Sequence, residues 1–79
     1  MKLPRDLDGL ELVKKLKVFG YIVVRQEGSH MRLRTLENGK HHLSVVIGVL
    51  KVGTLDRIIG LVAEHFGSSK EDVWNRLNG

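Results

Sequence analysis

Near the start of the chain apolar residues recur at helical spacing: Leu10, Val13 and Leu16 form one series, and Leu12, Leu16 and Phe19 another. Asp8-Gly-Leu-Glu11 supplies a start signal, with Asp8 as N-cap and Glu11 reaching back as in a capping box. Lys14, Lys15 and Lys17 complement the carbonyl end of the helix, and Gly20 stops it. The period then drops to two. Tyr21–Gln26 is β-branched and aromatic and predicts a strand. Glu27-Gly-Ser29 is a turn, and His30–Leu36 alternates as a second strand. Asn38-Gly39 is a strong hairpin signal, because a type I′ turn needs positive φ at both central positions. His41–Ile47 follows as a third strand. Helical spacing returns at Leu55, Ile58, Ile59, Val62, Ala63 and Phe66, with Thr54 as the expected N-cap and Gly67 as the stop. A further capping box in Ser68–Asp72 opens a short last helix carrying Val73, Trp74 and Leu77.

The order is α-β-β-β-α plus a short C-terminal helix. It predicts an α+β fold: a three-stranded antiparallel meander with helices on one face and the other face open to solvent. Residues 1–79 are expected to form one domain. That order resembles the double-stranded-RNA-binding domain.

Alternation decides which side chains reach the open face. In the second strand Met31 and Leu33 turn to the helices, leaving His30, Arg32 and Arg34 outside. In the third, Leu43, Val45 and Ile47 point inward, while His42 and Ser44 point out. In the first, Ile22 and Val24 are expected inside, and Val23 and Arg25 outside. One solvent-facing patch therefore collects Arg and His.

Charge strengthens that picture. The formal net charge is +4; residues 1–40 hold nine Lys or Arg against five Asp or Glu, and residues 41–79 hold four of each. A localised positive field favours a polyanion. Apolar residues make up 42% and charged residues 28%, a globular composition. There is no Cys, which excludes a disulfide framework and thiolate metal sites. Met-Lys-Leu-Pro-Arg-Asp has no apolar signal region, and Leu43–Leu50 is too short to span a bilayer, so a soluble cytoplasmic protein is expected.

Arg binds phosphate through a planar two-pronged fork. A neighbouring His can exchange protons near neutral pH. RNA carries its own nucleophile, the 2′-OH, so cleavage needs a proton acceptor, a proton donor and cations for the phosphorane charge. No metal or cofactor is needed for that chemistry. His41 and His42 diverge as strand neighbours, whereas His30 and His42 can be imagined to meet across the hairpin; two His without a third ligand make a poor zinc site. Gly48–Gly53 resembles a phosphate-binding loop only in spacing, with Lys in the wrong place.

Val18-Phe-Gly-Tyr21, Val24-Arg-Gln-Glu-Gly-Ser-His30, Asn38-Gly-Lys-His-His42, Leu50–Ile59 and Val62–Gly67 occur together and in order. On these stretches the chain resembles the HicA (YcfA-type) toxins, small mRNA interferases of type II toxin–antitoxin systems. The Gly-Ser-His turn and Lys51-Val-Gly-Thr-Leu55 are the most specific parts. The resemblance implies a double-stranded-RNA-binding-like fold, endoribonuclease activity on mRNA and growth arrest. It implies His30 as the catalytic residue and a HicB-type antitoxin that covers the active face. Many such relatives carry a Pro and a second His near the end of the third strand; here that stretch is the apolar Val45–Val49.

Three functions compete. The first is a metal-independent endoribonuclease, with His30 as general acid/base, Arg25, Ser29, Arg32, Arg34 and His42 holding RNA, and Gly28 shaping the turn. The second is a non-catalytic RNA-binding module, which would keep its RNA affinity after His30→Ala. The third is a protein-interaction domain without RNA affinity.

Overall fold

The computed structural model describes residues 1–79. Asp8 has extended backbone, and its carboxylate accepts the Leu10 amide at 2.8 Å, opening α1 (Gly9–Leu16). The capping box is not completed, since Glu11 instead faces Lys14 at 3.9 Å. A single 3-10 turn, Lys17–Phe19, leads to Gly20 in the left-handed conformation. The eight-residue α1 buries Leu12, Val13 and Leu16, with Phe19 following. Leu10, expected in that stripe, is exposed: on so short a helix it lies beyond the arc the sheet covers.

Three strands follow: β1 (Ile22–Glu27), β2 (His30–Thr35) and β3 (His41–Val46). They pair antiparallel in the order β1-β2-β3, as the meander requires. Asn38 (φ 56°) and Gly39 (φ 96°) both adopt positive φ in the β2–β3 turn. In β2, Met31, Leu33 and Thr35 are buried; in β3, Leu43 and Val45 are. Thr35 keeps a polar atom inside by donating its hydroxyl to the Phe19 carbonyl at 2.8 Å.

The first strand departs from simple alternation. Val23 pairs with Leu33, but Arg25 pairs with Arg32, so Val24 is an extra residue, a β-bulge. Val23 therefore turns toward the helices with Leu33, against the expected phase, while Ile22, paired with Arg34, lines a groove with Leu10, Val13 and Lys14 of α1. All six residues of β1 are exposed, including Ile22 at 51%. The bulge restores Arg25 to the open face, where the sequence placed it for a different reason.

α2 (Val52–Phe66) begins two residues before Thr54, with Lys51 as an N-cap that lends no side-chain bond. Thr54 is thus in the first turn, not the cap. Leu55, Ile58, Ile59, Val62 and Ala63 are buried as expected, with Phe66 at the margin. α3 (Lys70–Leu77) starts at Ser69, whose hydroxyl accepts the Asp72 amide at 3.1 Å, and packs Val73 and Leu77 inward. One core of 17 buried residues lies between sheet and helices. The arrangement is α+β, with an open three-stranded sheet as in double-stranded-RNA-binding domains.

The end of β3 is tied to the start of α1. The Gly9 amide donates to the Gly48 carbonyl at 2.8 Å, and the Leu50 amide donates to the Leu7 carbonyl at 2.8 Å. A side chain at Gly9 would collide with the Val46 carbonyl, so only glycine permits this approach.

Candidate functional site

His30 opens β2 immediately after the Gly28-Ser29 turn. Gly28 has φ 58°, while open space surrounds its Cα, so the residue is required by backbone conformation and not by crowding. The turn is braced from two sides. The Gln26 side chain donates to the Gly28 carbonyl at 3.1 Å, and the Ile47 amide donates to the Ser29 carbonyl at 2.8 Å. His30 itself is exposed, directly across from Glu27 on β1 and Val46 on β3.

The cross-strand register builds the face. Arg25, Arg32 and Ser44 form one row, and Arg34 and His42 form the next with Ile22. Arg25, Glu27, His30, Arg32 and Ser44 line a cavity of about 230 Å³. Arg25 and Glu27 form an ion pair within it. The expected residues Arg25, His30 and Arg32 thus share one cavity. Ser29 lies in the adjoining turn and contributes its backbone carbonyl. Arg34 is half-buried, with its Nε enclosed and unpaired.

His42 is on the open face but does not meet His30. Their register positions are four residues apart along β2, about 13 Å at strand rise. The ring of His42 titrates below the ordinary histidine value, first through lost hydration and then through repulsion by Arg32, Lys40 and Arg34. It is therefore neutral at neutral pH. No three His, Asp or Glu side chains are grouped closely enough to hold a metal ion.

A second cavity, about 290 Å³, lies on the other side of Arg32 and Ser44. Here His42 is joined by Thr54 and Arg57 from α2. Sequence reasoning missed these two, and Glu27, for different reasons. Glu27 was assigned to the turn, although its two-residue spacing from Arg25 would have placed both on one strand face. Nothing local links Thr54 and Arg57 to the sheet; only the packing of α2 beside β3 does.

The other two histidines are structural. His65 reaches from α2 to the hairpin: its Nε2–H points at the carbonyls of Glu37 (2.9 Å) and Gly39 (3.0 Å). Asn38 returns a bond from its amide to the His65 carbonyl at 2.8 Å. His41 stacks on His65 with centroids 4.5 Å apart, and its Nδ1 is 2.7 Å from the Tyr21 hydroxyl. Burial pushes the Tyr21 phenol up to about 12, so it stays protonated and shares a hydrogen bond with the His41 ring.

No helix is long and apolar enough to cross a membrane. No curated protein and no solved structure matches the chain. A family model described as the HicA toxin of bacterial toxin–antitoxin systems matches residues 9–63, more than half of the chain and all three strands. The chain belongs to the HicA toxin family.

Proposed function

We propose that residues 1–79 act as one domain that cleaves mRNA without a metal ion, with His30 as the group that moves the proton. The observation that carries this reading is the placement of His30: exposed, on a firmly held turn, in a cavity with Arg25 and Arg32. Membership of a toxin family supports it.

In the proposed reaction His30 accepts the 2′-OH proton as that oxygen attacks the adjacent phosphorus. The phosphorus–5′-oxygen bond breaks, and the imidazolium returns the proton to the leaving 5′-oxygen. The products are a 2′,3′-cyclic phosphate and a 5′-hydroxyl. Arg25 and Arg32 flank the cavity and would stabilise the charge on the equatorial oxygens. Arg34 and His42 lie further along the face and would hold flanking nucleotides. The side chain opposite His30 on β3 is Val46, so no second histidine assists from that strand. Glu27, directly opposite on β1, is the nearest cross-strand titratable group. As a toxin the domain would be paired with a HicB-type antitoxin that covers this face in the cytoplasm.

The test is an RNA-integrity gel with purified protein in EDTA. Wild type should give fragments with cyclic-phosphate ends, and His30→Ala should leave RNA intact while retaining the wild-type circular dichroism and melting curve. Intact RNA with wild type, or equal cleavage by the variant, would sink the proposal. RNA binding without cleavage by either would leave a binding module.

A further inference from the structure

We propose that the cavity between β3 and α2 is a subsite for one nucleotide of single-stranded RNA, its phosphate held jointly by Arg32 and Arg57. This deepens the reading of the open face as an RNA surface and rests on it. Arg32 and Ser44 line both cavities, so the second is a direct continuation of the one that holds His30.

Three features of the cavity point to a nucleotide. First, its charge is of one sign. Arg32 and Arg57 line it and no carboxylate does, whereas the neighbouring cavity contains Glu27. Arg57 forms no ion pair; on the same helix it is Asp56 that is paired, to Lys70 at 3.1 Å. Two guanidinium groups with the hydroxyls of Ser44 and Thr54 are a donor set for phosphate oxygens. Second, the lining is mixed. Leu43, Ile58 and Leu61 add apolar surface suited to a base or ribose face. Third, at about 290 Å³ the cavity is at the small end of ligand sites, matching one unstacked nucleotide and not a duplex groove. The exposed ring of His42 also lines the cavity and offers a face for stacking and ring nitrogens for hydrogen bonding.

The experiment measures binding and not cleavage. Fluorescence anisotropy follows a fluorescein-labelled single-stranded RNA, and a duplex of the same sequence, over a range of salt concentrations. All proteins carry His30→Ala, so the RNA stays whole. Adding Arg57→Ala should weaken single-strand binding several-fold and lower the slope of log K against log salt by about 1. Arg57→Lys should restore most of the slope. Lys14→Ala removes the same charge from α1, on the other side of the molecule, and should leave the slope unchanged. Melting curves check that each variant is folded.

An unchanged affinity for Arg57→Ala overturns the subsite. So does an equal loss for Lys14→Ala, which would mark a general field effect, or a loss confined to duplex RNA. If even the parent fails to bind RNA, the RNA reading of the face falls with it. Failure of wild type to cleave RNA, by contrast, overturns the catalytic reading and leaves this subsite standing.

Discussion

His30 and His42 stand on the open face of the sheet, and no hydrogen bond within the domain holds either ring. His41 and His65, one residue or one helix away, have their ring nitrogens committed to Tyr21, Glu37 and Gly39. The two pairs have the same chemistry and opposite situations. A ring nitrogen that already donates to a carbonyl cannot bind substrate without giving up that bond. The adjacent residues His41 and His42 show how little sequence separates the roles: one step along β3 turns the ring from the edge of the core to solvent. A histidine's availability is therefore set by strand phase and by what packs across it.

Substitutions can break this comparison. The largest effect is expected at His30. His30→Ala should lower the RNA cleavage rate by about 10²–10⁴-fold, the usual worth of general acid–base catalysis, with no change in melting temperature. His65→Ala should do the reverse. It removes a donor shared by two hairpin carbonyls, costing about 1–2 kcal/mol and lowering the melting temperature by roughly 5–10 °C, while cleavage per folded molecule persists. If His65→Ala instead melts like wild type, the pinning of the hairpin has no energetic weight.

Acid should act on the same pair. His41 titrates below the ordinary histidine value of 6.5, through burial first and then repulsion from His65 and His42, partly offset by Glu64. The unfolded chain therefore binds this proton more readily than the folded one. The contribution of His41 to stability is full above pH 6.5 and is lost as pH falls through 6.5 and below. Urea midpoints measured from pH 7.5 to 5 should fall, and the Tyr21→Phe variant, lacking the hydrogen bond to His41, should lose about 1 kcal/mol of unfolding free energy at pH 7.5. The smallest effect belongs to His42→Ala, which should leave the melting curve unchanged and weaken RNA affinity only modestly.

Where periodicity was unbroken, residues reported their own environment. The alternation of Met31, Leu33 and Thr35 against His30, Arg32 and Arg34, and the apolar stripe of α2, could be read directly. β1 could not, because a bulge at Val24 adds one residue without any compositional mark and inverts the phase before it. Arg25 was placed on the right face although Val23 was not. The start of α2 was missed because Lys51 caps it by backbone conformation alone. Thr54, Arg57 and His65 owe their positions to how α2 lies against β3 and its hairpin. That is tertiary information, since the sheet residues they meet are ten or more positions away.

The bulge at Val24 has a consequence for solubility. β1 is an outer strand, and its six exposed residues, three of them valine or isoleucine, would offer a flat edge to another chain. An extra residue kinks that edge and breaks the regular row of amides and carbonyls that a second strand would need. The ion-paired Arg25 and Glu27 then place charge beyond the kink. The irregularity that aims an arginine at the open face thus also makes the β1 edge a poor template for a second chain.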